Sequence, residues 1–370
     1  MTHHSLYGSP FSLYTGRARS YLIKAGLTYR ETTPTSEHYA KVVLPAAGNR
    51  QGIPTLETAD GEVIRDGAAI IDHFEALSGH GFSPSRIKQN LISRLFDVIG
   101  AEGLLRPAMH YRWNFDDQNL EFLRFHFQTM MPKGMKDKTD KAMQAMRRAA
   151  QGFGVVPDTF AVVESLYEQL LDTLDAHFAA VPYLLGNRPC IGDFGMIAPL
   201  YAHLGRDPKP LSMMQTRAPH LFRWVERMNR PEPDIGEFEN QADGYLPDDE
   251  IPETLIAVMR HLATDFVPET LAAAATINHW LSTQDDLASG ATAERGVGFC
   301  QFEIAGVTIS ALAQPYRFYL LARVQAIYES VTAVEQATLS SLLEEAGMGE
   351  LLSARLTREI ARTGNLEVWS

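Results

Sequence analysis

At 370 residues the chain is longer than one ordinary core, which predicts two or three domains. A formal net charge of −12 argues against non-specific nucleic-acid binding, which depends on a basic field, and 45% hydrophobic with 21% charged residues is an ordinary globular composition. With two cysteines, Cys190 and Cys300, no disulfide framework is expected, and the first half can hold neither a Cys-x-x-Cys pair nor a thiolate nucleophile.

The first 80 or so residues alternate in pattern. Residues 5–8 read as a strand and 12–25 as a helix carrying Ala18, Tyr21, Leu22 and Ala25 on one face. A second β-prone run, 29–33, leads through a polar connection to QGIPTLETADGEVIRDGAAIIDHFE, residues 51–75. This stretch predicts a strand over 53–58, a turn at Asp60-Gly61, a strand over 62–65 and a helix beyond. Ile53-Pro54 is a candidate cis peptide. A strand led by proline leaves the backbone of the preceding residue exposed, a reason to look there for a peptide-like ligand. The order β-α-β-β-β-α is that of helices on a mixed sheet.

From 84 to 230 the reading is helical, with helices expected over 87–101, 120–131, 158–180 and 193–204. The Pro- and acid-rich run 231–252 marks a boundary. Beyond it the pattern predicts helices over 252–264 and 268–282, a hairpin over 298–312 turning at Ala305-Gly306, helices over 315–330, 333–346 and 349–362, and a terminal strand over 366–369. The expected division is 1–82, 83–235 and 236–370. The longest apolar runs fall short of a membrane span and MTHHSLYG is unlike a secretory signal, so a cytoplasmic protein is expected.

Three segments carry a resemblance: LYGSPFSLYTGRARSYL at 6–22, GIPTLE with VIRDGAAIIDHFE, and YLLGNRPCIGDFGMIAPLYAHL at 183–204. Together they resemble the cytosolic glutathione transferase superfamily. The resemblance implies an α/β thioredoxin-like domain followed by an all-α domain, here with an additional, mostly helical C-terminal extension containing a β-hairpin. It also implies glutathione as co-substrate, an apolar small-molecule electrophile and a homodimer.

Carried onto this chain, the resemblance makes Ser12, seven residues before Arg19, the serine-type hydroxyl that activates the thiol, with Ser9 as runner-up. The start of a helix suits that role, because unpaired N–H groups and a partial positive charge favour a thiolate; the same position also suits a serine that only caps the helix. Tyr7 lies one residue off the tyrosine-type offset, which turns it to the other face of its strand. Ile53, before Pro54, is expected to pair its backbone with the cysteinyl unit. Asp66 is expected to accept from the ligand's α-amino group, a position that also suits a residue that only caps the helix, and Gly67 to offer an N–H to the ligand's α-carboxylate, without the hydroxyl the family usually has there. Arg50, Gln51 and, less directly, Lys41 are candidates for the glycyl carboxylate. His110, Tyr111 and Trp113 are candidates for lining the electrophile pocket, and the same cluster also reads as core packing. Asp193 stands at the third position of a helix whose cap is Cys190, a folding feature. The twelve histidines show no paired metal spacing, so no metal is expected.

Overall fold

A computed structural model describes residues 3–132, 134–231 and 237–370; part of the expected boundary run, 232–236, lies outside the described residues. The chain opens with β1 (His4–Tyr7), α1 (Leu13–Lys24) and β2 (Tyr29–Thr32). A π-helical stretch then runs into the short α2 (Leu44–Ala46), followed by β3 (Thr55–Glu57), β4 (Val63–Arg65) and α3 (Gly67–Ser78). The sheet order is β2-β1-β3-β4, with β1 parallel to β2 and antiparallel to β3, and β3 antiparallel to β4. This is the mixed sheet that the alternation predicts. Thr58 closes the turn at Asp60-Gly61, its carbonyl accepting from Gly61 N and its hydroxyl from Glu62 N, both at 3.0 Å.

Helices follow: α4 (Ile87–Val98), α5 (Leu105–Trp113), α6 (Asp116–Met130), α7 (Thr139–Ala149), α8 (Phe160–Ala180), α9 (Ile191–Ala202), α10 (Pro208–Arg217) and α11 (Pro219–Met228). The expected 87–101 helix is α-helical only to Val98 and continues as a π-helical stretch, Ile99–Gly103. Gly100 and Gly195 let this segment and α9 cross backbone against backbone, where a Cβ on Gly100 would overlap the Gly195 carbonyl. Asp193 behaves as its position predicts: its carboxylate accepts from Cys190 N at 2.9 Å, and also from Leu184 N at 3.1 Å and Trp224 Nε1 at 2.9 Å.

The C-terminal extension departs twice from expectation. Residues 252–282, expected as two helices, form one 29-residue helix, α12 (Glu253–Leu281), running through Pro268. An interior proline costs about 3 kcal/mol, and burial of Val258, Met259, Leu262, Phe266, Ala273 and Ile277 along one face outweighs it at roughly 1.5–3 kcal/mol per large apolar side chain. The hairpin β5 (Phe299–Ile304) and β6 (Val307–Leu312) and the helices α13 (Pro315–Ser330) and α14 (Ala333–Glu345) match the reading.

The second departure is at the expected 349–362 helix, which is a single 3-10 turn, Gly349–Leu352, followed by a strand, β7 (Ile360–Thr363). β7 pairs with β8 (Leu366–Trp369), Ile360 opposite Trp369 and Thr363 opposite Leu366. Gly364, with φ of 57°, supplies the turn that lets the chain reverse instead of continuing as a helix. β8 is also bonded to residues 290–293, through Gly290 N to Trp369 O, Trp369 N to Ala291 O and Ala293 N to Glu367 O, each at 2.8 Å.

Candidate ligand site

Ser12 caps α1 with extended backbone, its Oγ accepting from Thr15 N at 3.4 Å; among the described residues nothing accepts its own proton. Ser12 is partly exposed, whereas Ser9 is fully buried and its Oγ accepts from Phe11 N at 3.4 Å. Tyr7 faces away, as the strand alternation predicts: it donates to Glu57 at 3.0 Å and packs on Tyr39. Burial and the Glu57 carboxylate push its hydroxyl up to about 12.

The Ile53-Pro54 peptide is cis. Among the described residues neither the N–H nor the C=O of Ile53 has a hydrogen-bond partner, so the expected free edge is present. Pro54 O accepts from Asp66 N at 3.0 Å, tying this edge to the start of α3.

Asp66 sits at φ 87° and caps α3, accepting from Ala68 N at 2.7 Å and Ala69 N at 3.3 Å. Burial pushes its carboxyl up, but Arg17, Arg362 and Arg65, together with the Tyr316 hydroxyl, outweigh that and hold it below the usual carboxylate range. Gly67 has a packing reason: a Cβ there would lie 3.2 Å from Tyr14 O and 3.3 Å from Arg17 Cδ. Arg17, itself buried against Asp97, fills the space a side chain would need.

The extension reaches Arg50, Gln51 and Asp66. Arg50 Nη1 donates to Ala293 O at 2.9 Å and lies 3.8 Å from Glu367, while Gln51 O accepts from Arg295. Arg65, just before Asp66, donates to both Glu367 oxygens at 2.5 and 2.6 Å and to Asn365 O at 2.7 Å. Lys41 is exposed, paired with Glu37 at 2.5 Å.

The three aromatic candidates are packed in the interior. His110 Nε2 lies 2.8 Å from Glu164 and its Nδ1 2.8 Å from Asn114. Tyr111 stacks on Phe115, and Trp113 packs with Phe11, Leu123 and Phe127. Helix α5 is buried along its length, and His110 and Tyr111 pack as core. Sequence reasoning missed Arg112 between them. Buried Arg112 donates to Phe11 O at 3.0 Å, to Ala202 O at 2.8 Å and to both Asp207 oxygens at 2.6 and 2.9 Å. Burial and then Arg112 hold His203 well below its ordinary range, so its neutral Nε2 accepts from Arg112 while Nδ1 donates to Ala108 O. The loop carrying Ser12 is thereby anchored one residue upstream.

Residues 6–81 match the family model described as glutathione S-transferase, N-terminal domain. Residues 6–81 are thus a glutathione S-transferase-type N-terminal domain. Solved structures similar to this chain include the beta-etherase LigF from Sphingobium sp. strain SYK-6, 17% identical with a TM-score of 0.45, covering 65% of this chain and 100% of that one. Glutathione transferase GSTFuA3 from Phanerochaete chrysosporium is 15% identical, TM-score 0.44, covering 62% and 97%. A GST-like protein from Pseudomonas syringae is 14% identical, TM-score 0.42, covering 85% and 97%. A comparison with curated proteins gave no match. Among the described residues no helix is long and apolar enough to cross a membrane.

Proposed function

We propose that the protein is a glutathione transferase-like enzyme in which the Ser12 hydroxyl donates to the sulfur of glutathione, favouring the thiolate that attacks an apolar electrophile. The reading is carried by one observation: the unpaired backbone edge of Ile53, in a domain where Ser12 caps α1 with its proton undonated. The edge suits the backbone of a cysteinyl unit, and the helix start favours negative charge on its sulfur. A cytoplasmic homodimer goes with this reading. Calorimetry with glutathione and a conjugation assay test it. Millimolar binding and turnover lost in Ser12→Ala are expected, and absence of binding at millimolar glutathione would overturn it.

A second reading, a non-catalytic binding or assembly protein on the same fold, is favoured by the engagement of Arg50, Gln51 and Asp66 with the extension. Turnover of several electrophiles by the purified protein would eliminate it.

A further inference from the structure

Three arginines from three parts of the chain, Arg19 of α1, Arg112 of α5 and Arg206 beyond α9, lie in one another's field, and they are not equally balanced. Arg19 donates to the two Glu31 oxygens at 2.6 and 2.9 Å and to Ser9 O at 3.1 Å. Arg112 takes both oxygens of Asp207. Arg206 is left over. It is half-buried, and among the described residues no carboxylate stands at ion-pair distance from it, since the adjacent Asp207 is spent on Arg112. Its Nη1 is buried without a hydrogen-bond partner, and its Nη2 lies 3.3 Å from His126 Nε2. The guanidinium rests over the Phe122 ring, 5.3 Å from the centroid, a contact that leaves its charge unneutralised.

The excess charge is felt by its neighbours. Burial, together with the repulsion of Arg112 and Arg19, outweighs Tyr201 and Asp207 and lowers the proton affinity of Arg206. Burial, then Arg206 and Arg112, hold His126 below its ordinary range, so its ring is neutral and Nε2 accepts from Arg206. The Tyr201 hydroxyl, in the field of both Arg19 and Arg206, has no hydrogen-bond partner among the described residues. A charged donor left unpaired away from water is costly, and its complement is an oxyanion. Such a group would accept from the guanidinium fork and from the Tyr201 hydroxyl. Its negative charge would also favour the protonated imidazole of His126, turning that ring into a further donor.

We propose that Arg206, with His126 and Tyr201, forms a binding site for the oxyanion group of a small ligand, a phosphate or a carboxylate. The site does not depend on the glutathione reading, because Ser12, Ile53 and Asp66 take no part in it. It adjoins the loop that carries Ser12: the His126 and Phe11 ring centroids are 6.0 Å apart.

Calorimetry on the full-length protein with inorganic phosphate and with acetate, each against chloride at equal ionic strength, tests the site. Millimolar binding of one probe or both is expected. Nuclear magnetic resonance should show the His126 pKa raised by the bound probe beyond what chloride does. Arg206→Gln should weaken binding about tenfold or more and remove the His126 response, the loss of a charge-assisted hydrogen bond. Arg206→Lys, which keeps the charge and loses the fork, should retain part of the affinity. Arg355→Gln, a change at an exposed arginine of the extension, should leave both readouts unchanged. Circular dichroism confirms that each variant is folded. A preference for phosphate over acetate assigns a phosphate-bearing ligand, and the reverse a carboxylate. Absence of binding by either probe at about 10 mM, or equal binding by wild type and folded Arg206→Gln, overturns the site and leaves the proposed function standing.

Discussion

Arg65 donates to both carboxylate oxygens of Glu367 across 302 residues of chain, at 2.6 and 2.5 Å. This contact joins the edge strand of the N-terminal sheet to the last strand of the extension. Removing one partner of such a buried pair leaves the other charge uncompensated, at a cost of about 3 kcal/mol or more. Glu367→Ala, which strands three arginines, should therefore destabilise the protein by that order in chemical denaturation. Arg65→Met together with Glu367→Leu should recover only part of the loss, because Arg50 and Arg362 still lack their carboxylate.

Ser12 is both a cap and the proposed activator. Ser12→Ala should cost about 1 kcal/mol of stability through the lost cap. Ser12→Asn retains an acceptor for Thr15 N and should melt near the wild type, yet lose conjugation by about a hundredfold. Retained turnover in Ser12→Asn would reduce Ser12 to a cap.

Glu102, on the π-helical turn Ile99–Gly103, is buried, and its Oε2 has no hydrogen-bond partner among the described residues. Burial, assisted by Glu269 and Asp66 and opposed by Arg317, pushes its carboxyl up to about 7. A raised folded value means that the contribution of Glu102 to stability is fully present below its unfolded value near 4.5 and is lost as pH rises through about 7. The loss is on the order of 3 kcal/mol. Glu102→Gln should thus stabilise the protein at pH 8 and have little effect at pH 4, measured as urea midpoints. Equal effects at both pH values would contradict this.

Asp193 satisfies three buried N–H groups, those of Cys190, Leu184 and the Trp224 indole. Each donor left unpaired costs about 1–3 kcal/mol. Asp193→Ala should lower stability by at least about 3 kcal/mol, seen as a drop in thermal midpoint, without altering the sheet-domain residues that face the ligand site.

The sheet domain and the local turns and caps were readable from the amino-acid pattern alone. Period-two runs, the Asp60-Gly61 turn and the Ile-Pro step are short-range signals, and the backbone obeys them within a residue or two. The caps by Ser12, Asp66 and Asp193 were legible for the same reason, since each bonds within three residues of itself.

The remaining features depend on partners far apart in sequence. The fate of Pro268 was set by the packing of α12, and that of His110 and Tyr111 by the burial of α5. The missing side chain at Gly67 reflects Arg17 lying across the space it would fill, a contact that no local pattern encodes. The β7 strand was hidden because Ile360–Thr363 is too short to show a period, and its pairing depends on the turn at Gly364. Above all, Ser12, Ile53 and Asp66 are recognisable one by one, but the arrival of Tyr316, Asn365 and Glu367 beside them follows only from the folding of the extension onto the β4 edge. That docking sets Arg50 and Arg65, which flank the expected ligand residues in sequence, against the chain's own C-terminal strand.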